Sequence, residues 1–224
     1  MELEIERKVL EVNEETARRN RDEFQRRGIF VINLMSSPGA GKTTLLERTA
    51  EGLKDELRLA VIEGDIQSTH DADKIAAHGV PAVQINTRGG CHLEAESIRL
   101  ASETLDLDNT DILVIENVGN LVCPAEFSLG EEAKVTLLST PEGEDKPLKY
   151  PLMFHLSQVL IINKTDLLDY LPFDPDTARK EVRKLNPAIE IFEMSALHGQ
   201  GLEGWLDWLR RGAAKAGERA GKPR

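Results

Sequence analysis

Nearly continuous apolar runs alternate along the chain with longer segments in which apolar residues recur at helical spacing. The apolar runs predict buried strands at about 29–35, 57–63, 82–86, 111–116, 133–139, 158–163 and 189–193. The segments between them predict helices at about 42–54, 70–78, 94–105, 175–185 and 202–215. Strands without a polar face are typical of a parallel sheet that helices cover on both sides. The pattern therefore predicts an α/β fold with a predominantly parallel sheet.

The two ends of the chain differ from this pattern. Residues 1–27 carry apolar positions at helical spacing among charged neighbours, which predicts an N-terminal helix that packs on the domain. Residues 28–212 hold all the predicted strands and are expected to form one domain. Residues 213–224 are rich in Gly, Ala, Lys and Arg, so we expect a disordered tail there.

Composition and charge argue against several classes of protein. A chain of 224 residues can bury one full core. Its net charge of −11 argues against nucleic-acid binding. No apolar run approaches the roughly 20 residues that span a bilayer, and the acidic N-terminus lacks a signal-peptide core. We therefore expect a cytoplasmic protein with no membrane or nucleic-acid partner, whose two cysteines, Cys91 and Cys123, stay reduced.

A glycine-rich segment, Ser36-Ser37-Pro38-Gly39-Ala40-Gly41-Lys42-Thr43, lies between the first predicted strand and the helix that follows it. In this context a loop can bind phosphates, because backbone N–H groups and the helix N-terminus face them. Lys42 can reach the β- and γ-phosphates, and Thr43 can offer its hydroxyl to Mg²⁺. Ser36 stands where the usual motif has its first glycine. The residues predicted to bind the nucleotide here are Gly39, Ala40, Gly41, Lys42, Thr43 and Thr44.

Two short segments after later strands predict that the base is guanine. Asn163-Lys164-Thr165-Asp166 follows an apolar strand, and Ser195-Ala196 follows the last strand. Asp166 can accept hydrogen bonds from guanine N1–H and the exocyclic amine, which adenine does not donate in that arrangement. Asn163 can reach guanine O6 or N7 or brace the loop, and the stem of Lys164 can lie on the purine. The N–H of Ala196, next to Ser195, can contact O6.

Carboxylates at other strand ends are expected on the same rim, because ligands collect at the carboxyl ends of parallel strands. Glu116 can hold Mg²⁺, and the N–H of Gly119 can bond the γ-phosphate. Asp65 is a second candidate for Mg²⁺ or for orienting the attacking water. Asp71 allows a metal role or a helix N-cap. The predicted catalytic residues are Lys42, Asp65, Glu116 and Gly119, and the predicted magnesium ligands are Thr43, Asp65 and Glu116.

Cys91, His92 and Cys123 are candidate ligands for a softer metal ion. Cys91 and His92 lie in the loop after the third predicted strand, and Cys123 lies in the loop after the fourth. Both loops leave the carboxyl edge of the predicted sheet, so the thiols can meet near the nucleotide. Two thiolates and an imidazole suit Zn²⁺ or Ni²⁺. The spacing alone leaves open a second interpretation, in which the cysteines are unrelated small apolar residues.

The chain resembles the hydrogenase nickel-incorporation GTPase family (HypB), in the SIMIBI class of P-loop NTPases. The resemblance covers roughly residues 10–210 and rests on segments 36–44, 63–65, 90–93, 116–124 and 163–166. It implies a SIMIBI-type fold, GTP hydrolysis, GTP-dependent homodimerisation and delivery of nickel to the large subunit of nickel–iron hydrogenase. It also implies a zinc-binding nickel-insertion accessory protein as partner, and a Ni²⁺ or Zn²⁺ site on Cys91, His92 and Cys123.

Some members of that family carry a Cys-x-x-Cys-Gly-Cys motif or a histidine-rich stretch near the N-terminus, and the first 27 residues here have neither. The cysteine–histidine group within the domain is therefore the metal site that the resemblance predicts. The sequence leaves two alternatives open. One is a GTPase chaperone for another metal or for a cobalamin enzyme, and the other is a non-catalytic metal-binding module gated by nucleotide.

Overall fold

The structure, a computed structural model, describes residues 2–65 and 75–222, with side chains for all of these except residues 2–7 and 65. Seven strands form one sheet within these residues. They are β1 (Phe30–Ser36), β2 (Leu59–Asp65), β3 (Ala82–Asn86), β4 (Ile112–Glu116), β5 (Ala133–Ser139), β6 (Val159–Asn163) and β7 (Glu190–Met194). All neighbouring strands pair in parallel, in the order β3-β2-β4-β1-β5-β6-β7. This confirms the predicted α/β fold with a parallel sheet.

The strand register brings the polar strand ends to one edge of the sheet. Glu116 of β4 lies beside Leu34 of β1 and Glu63 of β2. On the other side of β1, Asn163 of β6 lies beside Met194 of β7. Because every strand runs the same way, the loops that follow them share this carboxyl edge.

Helices cover both faces of the sheet. They are α1 (Glu2–Arg26), α2 (Lys42–Leu53), α3 (Ala95–Ser102), α4 (Cys123–Glu126), α5 (Lys146–Lys149), α6 (Pro151–Leu156), α7 (Pro175–Leu185) and α8 (Leu202–Ala220). On one face α2 and α8 bury Leu46 and Leu209 against the sheet. On the other face α1 and α3 cover β1, β2 and β4, while α4, α6 and α7 cover β5 and β6. Near-continuous apolar strands are required because both faces are buried.

The C-terminal helix is longer than the sequence predicted. α8 continues to Ala220 and ends at Gly221 in the left-handed conformation. Ala213 and Ala216 are buried against the rest of the domain, and a Cβ at Gly28 would come 2.8 Å from Cβ of Ala220. The expectation of disorder from residue 213 is therefore wrong for residues 213–220. Alanine has the highest helix propensity, and here its small side chains form a packing face.

The N-terminal helix is attached to the first residue of α3 and to the loop that follows α4. Asn13 donates through Nδ2 to the Ser128 carbonyl at 2.8 Å and accepts from Ala95 N at 2.8 Å. Asn20 donates through Nδ2 to the carbonyls of Ala95 and Leu129, at 2.8 and 3.0 Å. These buried amides fix α1 on the domain, because an unpaired buried amide would be costly.

The helix predicted at 70–78 falls partly outside the described residues, and residues 75–77 are helical. Asp71, for which the sequence allows a metal role or a helix N-cap, and the neighbouring His70, to which the sequence assigns no role, also lie outside them. Among the described helices, none has the length and apolar character needed to cross a membrane.

Candidate functional site

The glycine-rich loop turns sharply between β1 and α2. Gly39 and Gly41 have φ values of +73° and +104°, which side chains other than glycine rarely tolerate. A Cβ at Gly41 would also come 2.6 Å from Asn163 Nδ2. The turn leaves Lys42 and Thr43 in the first turn of α2, as a phosphate-binding loop requires.

Lys42 is held at the mouth of this loop by oxygen atoms. Its Nζ donates to Ser36 Oγ at 3.0 Å and lies 3.9 Å from Glu116 Oε1. Only 10% of the Lys42 side chain and 7% of the Glu116 side chain are exposed. Ser36, which replaces the first glycine of the usual motif, thus orients the lysine. A cation this close to the loop is placed to meet a polyphosphate.

Asn163 joins the loop to the segment after β7. Its Nδ2 donates to the Ala40 carbonyl at 2.9 Å, and its Oδ1 accepts from Ala196 N at 3.0 Å. The sequence allowed Asn163 either to contact guanine or to brace the loop, and in the structure it braces the loop. The Ala196 N–H, expected to face guanine O6, is donated to Asn163 instead.

Lys164 and Asp166 lie beside this brace. Lys164 adopts φ of 62° and donates through Nζ to the Gly39 carbonyl at 2.8 Å, so its stem lies along the loop. Asp166 Oδ1 is buried and has no hydrogen-bond partner among the described residues. A buried carboxylate oxygen needs donors, and the Watson–Crick edge of guanine offers two. The donor requirement of Asp166 fits the predicted base.

Two residues near the segment predicted to bind the base were not singled out by the sequence. Arg48 of α2 donates to the carbonyls of Ala196 and Leu197, at 3.3 and 2.9 Å, and holds the segment after β7. His198 Nε2 lies 4.0 Å from Asp166 Oδ2. A single arginine in a helix carries no sequence signal of this role. We call the loop 36–43 with segments 163–166 and 195–197 the nucleotide rim.

The segment after β4 faces the loop directly. Gly119 packs so closely that a Cβ there would lie 2.9 Å from Pro38 Cγ. Glu116 and Glu63 are both buried and lie side by side in register on β4 and β2. Asp65 ends β2 on the same edge. The sequence motif pointed to Glu116, Gly119 and Asp65, and the structure adds Glu63 as a second buried carboxylate.

Cys91, His92 and Cys123 come together, and we call these three residues the thiol–imidazole cluster. One potential ligand atom from each lies within 4.8 Å of the others. Cys91 Sγ is 3.5 Å from His92 Nδ1, and both cysteines are free thiols. Cys91 is exposed and Cys123 is half-buried. Two sulfurs and an imidazole nitrogen at this separation can hold one borderline metal ion.

The protonation of the cluster is set by its burial and by its own members. The pKa of Cys123 is raised above its ordinary value, first by the hydrogen bond with Cys91 and next by burial. Burial lowers the pKa of His92, against the opposing charges of Glu94 and Glu126. The lowered pKa of His92 favours the neutral imidazole, which is the form that binds metal, while the raised pKa of Cys123 means that a metal must displace its proton.

The imidazole is fixed by residues that the sequence did not identify. Phe127 stacks on His92, with ring centroids 3.8 Å apart and planes inclined by 26°. Lys134 of β5 stabilises the loop that carries Phe127. Its Nζ donates to the carbonyls of Ala125 and Phe127 at 2.8 and 3.2 Å. A lysine in a strand gives no sequence signal of such a contact.

One buried side chain connects the two groups of residues. Asn117 Oδ1 accepts from Val118 N at 2.9 Å and from Leu93 N at 3.3 Å. Its Nδ2 donates to Asn33 Oδ1 of β1 at 3.1 Å. The segment that faces the glycine-rich loop is therefore bonded to the residue that follows His92.

The parallel sheet, the glycine-rich turn at its carboxyl edge and the lysine within that turn define a P-loop nucleotide-binding protein. Residues 30–193 match the family model for the CobW/HypB/UreG nucleotide-binding domain. The chain belongs to this family and, within it, to the HypB branch.

Similar proteins support this assignment. The hydrogenase maturation factor HypB of Escherichia coli K12 is 54% identical over 207 residues, which are 92% of this chain and 71% of that protein. The crystal structure of Helicobacter pylori HypB in complex with nickel is 41% identical, with a TM-score of 0.87, over 91% of this chain and 95% of that one. Archaeoglobus fulgidus HypB is 35% identical, with a TM-score of 0.84, over 90% and 98% of the two chains.

A more distant structure shows the fold alone. The signal recognition particle receptor FtsY of Elizabethkingia anophelis, in complex with GDP, is 16% identical with a TM-score of 0.54. The match covers 78% of this chain and 58% of the FtsY chain. The P-loop fold predicted from the sequence is thus confirmed.

Proposed function

We propose that this protein is a GTP-hydrolysing metallochaperone that delivers nickel during the maturation of a nickel–iron hydrogenase. The observation that carries the proposal is the thiol–imidazole cluster, whose potential ligand atoms lie within 4.8 Å of one another. It is bonded through Asn117 to the segment that packs on the phosphate-binding loop. The nickel complex of the H. pylori relative supports nickel as the cargo.

The nucleotide rim supports GTP as substrate. Lys42 supplies the cation for the β- and γ-phosphates, and the backbone of the loop supplies N–H donors. Asp166 Oδ1, buried and unpartnered among the described residues, accepts from guanine. Adenine leaves this oxygen without its donors, which is the physical basis of discrimination.

The donor set beside Lys42 fits Mg²⁺. Thr43 offers a hydroxyl and Glu116 a buried carboxylate, which are the hard oxygen ligands this ion prefers. Bound there, Mg²⁺ neutralises charge that develops on the phosphates. Asp65, at the end of the adjacent strand, is the third proposed ligand. Gly119 donates its N–H to the γ-phosphate in this proposal, which its close packing against Pro38 of the loop supports.

Nickel is the cargo in this proposal, and Cys91, His92 and Cys123 hold it. Three protein ligands fall short of a four-coordinate site, so a second copy of the chain completes it or shares it. GTP binding favours that dimer, and hydrolysis loosens both the dimer and the metal. The hydrogenase large subunit and a zinc-binding accessory protein are the proposed partners.

A metal titration in the presence of each nucleotide tests the proposal. The protein is titrated with Ni²⁺ in GDP and in a non-hydrolysable GTP analogue with Mg²⁺. Binding is followed by thiolate-to-nickel charge-transfer absorption, dimer formation by mass in solution, and turnover by phosphate release from GTP. We expect saturable binding, more dimer with the analogue, and measurable turnover. Absence of the charge-transfer band, or equal dimer populations in both nucleotides, would contradict it.

A further inference from the structure

We propose that Asn120 is a positioning residue for the cargo site, through which the nucleotide state changes the affinity for metal. The inference rests on the proposed function and adds to it the side chain that conveys the change. Asn120 directly follows Gly119 and precedes Cys123 by one turn of chain. Its role follows from what its amide contacts on each side.

The Asn120 amide joins the two loops that bear the thiols. Its Nδ2 donates to the Cys91 carbonyl at 3.3 Å. Its Oδ1 accepts from Val122 N at 2.8 Å, which closes the turn leading into Cys123. One planar group therefore sets the distance between a loop that follows β3 and a loop that follows β4. Such a bridge matters because the two loops come from different strands.

The Asn120 amide therefore contacts the backbone of both loops that bear the proposed ligands, and not the metal itself. Groups of this kind orient a site and tune its affinity.

On its other side, Asn120 is tied to the phosphate-binding loop by the chain itself. Gly119 lies against Pro38 with no room for a Cβ, so a γ-phosphate that draws Gly119 inward must move its neighbour. A shift of Asn120 alters the spacing of Cys91 and Cys123 in the same event. Asn117, bonded to Leu93, anchors the start of this segment and makes Asn120 its moving end.

An amide both donates to the Cys91 carbonyl and accepts from Val122 N, so substitutions of Asn120 can separate these two contacts. Asn120→Ala removes donor and acceptor together. Asn120→Asp keeps the acceptor for Val122 N but loses the donor to the Cys91 carbonyl, and adds a negative charge near the two cysteines. If the donor matters, Asp behaves as Ala does. If only the turn matters, Asp behaves as the wild type.

The chain offers a matched control in Asn86. Its Oδ1 accepts from Arg88 N at 2.8 Å, the same two-residue turn that Asn120 makes with Val122. Asn86 is exposed at the end of β3, on the same edge of the sheet. Asn86→Ala therefore removes an equivalent turn at the root of the Cys91 loop while the Asn120 bridge to both thiol-bearing loops stays in place.

The experiment measures Ni²⁺ affinity by competition with a chelator, in GDP and in a non-hydrolysable GTP analogue with Mg²⁺. For the wild type we expect the two affinities to differ by about 5- to 150-fold. In Asn120→Ala and Asn120→Asp we expect that ratio to approach one, with affinity lowered roughly 10- to 100-fold. The charge-transfer band should persist at saturation, because all three ligands remain. Affinity for the GTP analogue without metal should be unchanged.

The outcomes separate the inference from the proposed function. A wild type without the charge-transfer band overturns both. A wild type that binds nickel equally in both nucleotides overturns the inference alone. So does a wild-type ratio that is preserved in Asn120→Ala, or that is lost equally in Asn86→Ala. Loss of the ratio in both Asn120 variants, with Asn86→Ala unaffected, supports it.

Discussion

The nucleotide rim and the thiol–imidazole cluster share one edge of the sheet, but they are held in different ways. Polar contacts cross between the segments of the rim: Asn163 bridges Ala40 and Ala196, and Lys164 reaches Gly39. In the cluster, the loops that carry the two thiols are joined through the side-chain amides of Asn117 and Asn120. Cys91 is also exposed. The rim is thus braced by the chain's own side chains, whereas the cluster can change its spacing.

This difference suggests that the nucleotide rim recognises its ligand, while the thiol–imidazole cluster changes its geometry in response. A braced rim recognises its ligand without reorganising, which favours specificity. A site whose donors lie on two loops can alternate between geometries, and each geometry has its own affinity. Breaking the rim should abolish nucleotide binding without destroying the metal ligands, and breaking the cluster should do the reverse.

The largest effect is expected for Lys42→Ala. The variant should lose GTP turnover and bind GTP at least ~100-fold more weakly, since charged hydrogen bonds of about 1.5–3 kcal/mol each are removed. Nickel affinity without nucleotide should match the wild type. Phosphate release and a nucleotide titration measure the change, with the exposed Lys180→Ala as control. Undiminished turnover in Lys42→Ala would mean that the loop is not catalytic.

The converse change is made in the cluster. Cys91→Ala and Cys123→Ala should each abolish stoichiometric nickel binding, because two remaining donors cannot compete with water and chelators. His92→Ala should weaken it, and the exposed His78→Ala should not. Equilibrium dialysis gives the stoichiometry, and GTP affinity without metal should stay as in the wild type. Retention of tight binding by either cysteine variant would remove that residue from the site.

A smaller effect is expected from Asp166→Asn, which changes the base that the rim accepts. GTP binding should weaken by roughly 2–4 kcal/mol, since a charge-assisted pair of hydrogen bonds is lost. Xanthosine triphosphate, whose C2 carbonyl replaces the amine donor, should be favoured in its place. Competition among GTP, ATP and XTP measures this, with the exposed Asp169→Asn as control. Equal affinity of the wild type for ATP and GTP would refute the guanine assignment.

The smallest effect is expected at the opposite edge of the sheet. Arg58 donates to Asp111 through Nε and a terminal nitrogen, at 2.8 and 2.6 Å, and lowers the pKa of that carboxyl. Asp111→Asn should reduce the free energy of unfolding by about 0.5–1 kcal/mol near pH 7, a modest value because the pair is partly exposed.

The pH dependence of this change has a definite sign. A lowered pKa in the folded state stabilises the protein above the unfolded pKa of about 3.9, and the gain is lost as pH falls through the folded pKa. The variant and the wild type should therefore converge in strong acid. Denaturant unfolding measures it. Altered nickel or GTP affinity in Asp111→Asn would show that the sites are not confined to the carboxyl edge.

Most of the fold and the nucleotide rim followed from the sequence, because their determinants are contiguous. Apolar runs predicted all the described strands to within two residues, and the motif around Lys42 predicted its own surroundings. The length of α8 was not predicted. Its C-terminal alanines pack near Gly28, and the sequence does not show that such a surface is available to them.

Contacts between distant segments could not be predicted from the sequence. Arg48 and Lys134 act by donating to backbone carbonyls, and any residue supplies a carbonyl. Phe127 orients His92 by lying on its ring, a relation that neither residue type announces. The grouping of Cys91 with Cys123 was predicted only as one of two possibilities, and it depends on how the loops that follow β3 and β4 meet across β2.

The exposure of Cys91 has a consequence for how cargo would leave. A ligand at the surface can be approached by a donor atom from another protein while the half-buried imidazole still holds the metal. We therefore expect transfer by stepwise ligand exchange, starting at Cys91, rather than release of a free ion into water. The transfer rate would then rise with the concentration of the acceptor, and the intermediate would be a mixed complex of two proteins around one metal.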